Sequence, residues 1–303
     1  MAEDNRGYNF LEHNSSAHLD LPRFKESWIK LQFFALYIDS KYQSTGYLRH
    51  CLLMLDKYYQ AVKNSRGVIE TVLDQESLHR IMRGKNKGAL LSIEGGEALE
   101  GELAVLRMLF RLGIRSLGLT WNFKNELASG VKGDDEGLTP FGREVIVEMN
   151  ELGMLVDLAH LNAKGFFDAI STSAKPVIVS HANVKKLCDH PRNLTDDQLR
   201  SIKNINGVVG LTFYPPFIDS EKPTLDRLLD HFVYVADLIG TDYLAFGSDF
   251  DGIDKVLDGL EDVSYFPQLA ENLSRRGFSS NDLEKITSKN ILRVLSAVLP
   301  GKR

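Results

Sequence analysis

The stretch TPFGREVIVEMNELGMLVDLAH, Thr139 to His160, and its continuation LNAKGFFDAISTSAKPVIVSH, which ends on His181, decide how this chain folds. Thr139 ahead of Pro140 is an N-cap followed by a first-turn proline, and Gly153 closes the helix after EVIVEMNEL. MLVDLA (Met154–Ala159) then reads as a short strand of almost unbroken apolar character, with a histidine directly behind it. After a second helix the pattern repeats, and PVIVS (Pro176–Ser180) runs into His181. Strands without polar alternation are buried on both faces, as in a parallel sheet covered by helices.

Outward from this segment the same unit recurs. Apolar runs at Leu31–Ile38, Ala89–Ile93, Ser116–Thr120, Val208–Phe213 and Tyr243–Gly247 read as further strands with helices between them. Gly113 ends the helix containing LAVLRMLFRL, and Thr195-Asp196-Asp197-Gln198 has capping-box spacing. The alternation predicts an α/β protein with a parallel sheet and right-handed crossovers. Seven strands are legible, whereas a closed (β/α)₈ TIM barrel needs eight. An open doubly wound sheet tolerates seven, so the count leaves both architectures standing. The gap lies at the front, where NFLEHNSSAHLDLPRFKESW (Asn9–Trp28) holds no apolar strand.

Bulk properties narrow the class. The 303 residues, 43% hydrophobic and 25% charged, suit one large globular domain over 1–303, with no low-complexity linker or repeat to divide it. A net charge of −5 argues against nucleic acid, which wants a basic face. Cys51 and Cys188 form no C-x-x-C pair, which fits a reducing compartment. The polar start MAEDNRGYNF is no signal peptide, and no run reaches the ~18 apolar residues of a membrane helix. The expectation is a soluble, cytoplasmic protein with neither nucleic acid nor membrane as partner.

The residues behind the strands carry the chemistry. Glu94, Trp121, His160, His181 and Tyr214 each follow a strand directly, and Asp249 follows YLAFG by one residue. In a barrel these positions converge on the C-terminal mouth, where active sites are built. One carboxylate and two histidines suit zinc or a similar ion. Asp249 adds a carboxylate able to orient or deprotonate water. A single histidine at a strand end is more often a hydrogen-bonded structural residue. Several metal-compatible side chains at successive strand ends favour a metallohydrolase.

At these residues the sequence resembles the membrane (renal-type) dipeptidase family, peptidase family M19. The matching segments are IEGGEAL (Ile93–Leu99), Gly137–His160, VIVSHANVKKLCDHPRNLTDDQL (Val177–Leu199), AFGSDFDG (Ala245–Gly252), GLEDVSYFPQL (Gly259–Leu269) and NILRVL (Asn290–Leu295). The resemblance implies a (β/α)₈ barrel with two zinc ions that hydrolyses dipeptides, often with a D-residue at the carboxyl side. It implies Glu94 as the bridging carboxylate and His160 and His181 as ligands of the second metal. Arg192, in HPRN, would clamp the substrate carboxylate, a task that suits a guanidinium fork. Trp121 and Tyr214 would contact the substrate, and Asp249 would serve the catalytic water and relay its proton. Many family members are dimers, which leaves a homodimer open.

Two departures qualify that picture. Family members often carry histidine where this chain has Trp121, and an indole donates one hydrogen bond but does not titrate. Members also open with an apolar strand running into His-x-Asp, which holds the first metal. The His-x-Asp of this chain, His18-Leu19-Asp20, has nothing strand-like before it and stands too close to Glu94. It reads instead as loop residues near a helix start. The expectation is therefore a barrel lacking its first strand, from a late start or as a natural variant, with ligands for one zinc rather than two. Two unpaired sheet edges would cost stability. Dipeptidase activity is expected to be impaired, and the competing reading is a non-catalytic metal- or peptide-binding relative. A barrel hydrolase acting on cyclic amides or phosphoesters is a third.

Overall fold

In the computed structural model, which describes residues 9–301, the chain divides into two compact units. Met1–Ala174 with Val298–Arg303 forms the first, and Lys175–Ala297 the second.

The first unit holds strands β1 (Leu31–Tyr37), β2 (Ile69–Thr71), β3 (Lys87–Glu94), β4 (Ile114–Gly118) and β5 (Leu155–Asp157). Their pairings are parallel: β1 with β3, β2 with β3, β3 with β4, and β4 with β5. The long strand β3 is the spine, and Lys87 through Ile93 are all buried. β1 occupies one whole edge of β3, from Gly88 to Glu94. The other edge is shared: β2 takes Lys87 to Ala89, and β4 takes over from Leu91 onward. β2 therefore raises the strand count from the expected seven to eight without supplying the missing barrel position. Among the described residues no strand precedes Leu31.

The local signals work as their chemistry requires. Thr139 caps the helix Pro140–Leu152 by accepting from the Gly142 amide at 2.9 Å, and Gly153 ends it at φ 80°. Gly113 turns at φ 100°, where a Cβ would collide with the Tyr59 hydroxyl. Register places Tyr37, Glu94, Gly118 and Asp157 in one row across the sheet, with Ala35, Ser92, Ser116 and Leu155 in the row beneath. Because alternate residues share a face, this row lines one side of the sheet at its C-terminal end.

The second unit holds β6 (Ile178–Ala182), β7 (Val208–Leu211) and β8 (Leu244–Phe246), again parallel. Gly210 and Gly247 flank the Ser180 carbonyl, and a Cβ at either would run into it. The capping box at Thr195 and Gln198 starts the helix Asp196–Asn204 as its spacing predicts. Edge-to-face contacts among Phe213, Phe232, Phe246 and Phe266, with centroids 5.5 to 6.0 Å apart, fill the interior.

Candidate active site

Glu94 is the last residue of β3, and His160 lies three residues beyond β5 in the left-handed region, φ 72°. That strained backbone turns the imidazole toward the strand end, and Nε2 stands 2.8 Å from Glu94 Oε1. Nδ1 lies 2.9 Å from Asn122 Oδ1. The amide oxygen can only accept, so Nδ1 carries the proton. In the neutral ring Nε2 then directs its lone pair at a carboxylate oxygen. Two acceptors so close, one nitrogen and one oxygen, are the donor set a divalent cation seeks. The residues of this unit thus fit a metal.

Trp121 forms the wall beside this pair. Its ring is 6.2 Å from His160, 5.2 Å from Tyr37 and 5.9 Å from Phe123. Burial pushes the Tyr37 phenol up to about 12, helped by the charges of Asp39, Glu94 and Glu97, so it stays protonated. Glu97 itself is raised, chiefly by burial and also by Glu94, against the opposing pull of its own backbone amide and Asn125. Asn125 Nδ2 donates to Glu97 Oε1 at 3.1 Å.

Asp20, the tempting alternative ligand, is wholly committed elsewhere. It caps the helix Leu21–Glu26, accepting from the Arg23 amide at 2.9 Å, from Arg23 Nε at 2.9 Å and from the Asn14 amide at 3.0 Å. Burial alone would raise its carboxyl; the Arg23 side chain and the two amides outweigh that and hold it low. His18 and Asp20 are loop and cap residues, as the sequence suggests.

In the second unit His181 sits near the end of β6, its Nδ1 2.8 Å from Ser180 Oγ. Arg192 folds back beneath it: Nη2 donates to the His181 carbonyl at 3.3 Å, and the guanidinium lies 5.5 Å from the Phe217 ring centroid. Tyr214 packs edge-on against Phe217 at 5.0 Å. Its phenol is raised by burial, by a hydrogen bond to Asp254 and by the charges of Asp254 and Asp249. Asp249 and Asp251 both take left-handed backbone, φ 62° and 64°, so the GSDFDG turn uses both aspartates. The loop from His181 to Arg192 is held by His231, which is fully buried. The Val184 amide donates to His231 Nδ1 at 3.1 Å, and Nε2–H donates to the Ile218 carbonyl at 2.9 Å.

The structure therefore brings Glu94, His160 and Trp121 together in one unit, and His181, Arg192, Tyr214 and Asp249 into the other. Sequence reasoning missed Asn122, Tyr37, Glu97 and Asp254. Asn122 alone had a signal, standing directly after Trp121 at a strand end.

Parallel α/β units that carry a carboxylate and histidines behind their strands define a metal-dependent hydrolase of the barrel class. The chain belongs to the membrane dipeptidase family, peptidase family M19, whose profile matches residues 1–300. It is 34% identical over 302 residues to an uncharacterized dipeptidase of Schizosaccharomyces pombe, covering 93% of this chain and 73% of that one. It is 32% identical over 297 residues to the dipeptidase tcpJ of Claviceps purpurea, covering 93% and 70%. Its fold matches a metallo peptidase from Rhodobacter sphaeroides solved with a phosphinate mimic of L-Ala-D-Ala: TM-score 0.89, 27% identity, covering 95% of this chain and 92% of that one. The chain is accordingly a metallo-dipeptidase of the (β/α)₈ class.

Proposed function

We propose that the protein is a zinc dipeptidase in which residues 1–303 act as one hydrolase domain. The observation that carries this is the Glu94–His160 pair, with Asn122 fixing the tautomer that leaves Nε2 open to a cation. Glu94, His160 and His181 are the proposed ligand set. When bound, zinc would polarise the peptide carbonyl and acidify a water. The chain's own residues do the rest. Arg192 receives the substrate carboxylate, stiffened by its contact with the His181 carbonyl and the face of Phe217. Tyr214, kept protonated, offers a hydrogen bond to the substrate, and Asp249 takes a proton from the attacking water and returns it to the leaving amine. Trp121 bounds the site beside His160 with an indole, which does not itself titrate.

Because Asp20 is spent on its cap and on Arg23, one zinc per chain is proposed, not two, and turnover is expected to be slow. Elemental analysis of the zinc-loaded chain, paired with a dipeptide hydrolysis assay, tests this. One equivalent, with hydrolysis that chelation abolishes and His160→Ala cannot support, is expected. Zinc retention with no hydrolysis of any dipeptide would favour a non-catalytic binding relative instead. Two equivalents would overturn the single-metal reading. The location remains proposed as cytoplasmic; among the described residues no helix is long and apolar enough to cross a membrane. A homodimer is a further proposal, tested by light scattering.

A further inference from the structure

The loop that follows β4 carries an ion cluster on its surface that the hydrolytic chemistry does not use. Lys124 Nζ stands 2.8 Å from Asp134 Oδ2 and also bonds Glu136 Oε2. The other oxygen of Asp134 accepts from Ser129 Oγ and, at 3.2 Å, from the Glu136 amide. All three charged side chains are exposed. An isolated pair of that kind contributes little, because water and salt screen it and two long side chains must be ordered. This cluster differs in what it closes.

Lys124 belongs to the outgoing limb of the loop, two residues past Asn122, and both carboxylates belong to the returning limb. That returning limb reaches His160 by two routes. The Val131 amide donates to the His160 carbonyl at 2.9 Å, and the Lys132 amide donates to the Asn122 carbonyl at 2.7 Å. Asn122 Oδ1 in turn holds His160 Nδ1. Asn162, two residues past His160, fastens the same limb from the other side. Its Nδ2 donates to the Asp134 carbonyl at 2.8 Å and to the Glu136 carbonyl at 2.7 Å. Among the described residues no helix or strand lies between Gly118 and Pro140, so cross-links of this kind fix the shape of the loop. Outer partners of a metal-binding histidine set its orientation and its affinity for the ion. The ion cluster locks those partners in place and, being exposed, is open to screening by dissolved salt.

We propose that Lys124 is a positioning residue for His160: by drawing Asp134 and Glu136 onto the outgoing limb it holds Asn122 and Val131 against the histidine, and it makes metal affinity depend on ionic strength. This rests on the zinc-ligand role proposed for His160 above.

The test compares the full native chain with Lys124→Met and Lys124→Arg, by zinc competition against a chromophoric chelator. It is run at low ionic strength and in about 1 M potassium nitrate, where charges act only over about 3 Å. At low ionic strength Lys124→Met should bind zinc about three- to tenfold more weakly than the native chain, the scale of two exposed ion pairs, and Lys124→Arg should match the native chain. In high salt the native chain should weaken until the gap to Lys124→Met closes. Equal affinities at low salt, or a gap that salt leaves open, overturn the proposal. Amide hydrogen exchange in the metal-free chain gives a second readout that needs no zinc. The Val131 and Lys132 amides should exchange about three- to tenfold faster in Lys124→Met, with the difference lost in high salt. Unchanged exchange at both amides also overturns the proposal. A native chain that takes up no zinc overturns the ligand role of His160 and the positioning role with it, whereas zinc held equally by native chain and variant overturns the positioning role alone.

Discussion

Tied to Asn122 through Nδ1, the His160 ring presents Nε2 to Glu94, which suits it to the ligand role proposed for it. Asn122→Ala should weaken zinc binding about 10- to 100-fold, the usual effect of losing such an outer partner, while Asn122→Asp keeps the acceptor and most of the affinity. Competition with a chromophoric chelator measures it, and an unchanged affinity would remove His160 from the ligand set. Asp20 offers the opposite experiment. Asp20→Ala should cost about 1–2 kcal/mol of stability through the lost cap, read from urea unfolding, with zinc content unaltered. Glu94, His160 and His181 stand out in the sequence as strand-end candidates because each follows an apolar run, and Asp20 reads as a residue at a helix start because no such run precedes it. The pairings of Asn122 and Glu97 were hidden: their partners, 38 and 28 residues away, are set by how loops fold back and not by any local pattern.

Seven strands announce themselves as apolar runs. β2 does not, because Ile69-Glu70-Thr71 is three residues long with a charge at its centre. It forms through tertiary help: three positions on the lower edge of β3, and the Tyr58 hydroxyl 2.7 Å from Thr71 Oγ1. At β6 the tight element is the backbone itself. Gly210→Ala or Gly247→Ala drives a methyl into the Ser180 carbonyl and should cost about 3 kcal/mol or more, measured by thermal unfolding. The connection after β6 depends on a neutral His231, whose affinity for a proton burial lowers. A histidine depressed in the folded state takes up its proton more readily when unfolded. Its contribution is therefore complete above the unfolded value of 6.5 and is lost as pH falls below it. Urea midpoints between pH 8 and pH 5 should fall on the acid side, and His231→Gln should flatten that limb. An unaltered slope in the variant would assign the acid loss to other groups.

At the level of the molecule, the proposed zinc would be held in the first unit by Glu94 and His160. A cation that binds only the folded chain stabilises it by mass action, about 2.7 kcal/mol at a hundredfold excess over Kd. Zinc should thus raise the melting temperature of the native chain and leave that of His160→Ala where it was; scanning calorimetry decides the matter. The α/β class and the parallel pairing were legible from strand–helix alternation, whereas the division into two compact units was not, since no change of composition marks Lys175. The bonding of His231 has a use of its own. Both ring nitrogens meet backbone groups and the side chain has no exposure, so its Nε2 proton is held in one tautomer and shielded from exchange. Such a proton gives a sharp downfield line in the NMR spectrum recorded in water. The second unit therefore carries a label-free reporter of its own folding, readable in any variant made above without isotopes or dyes.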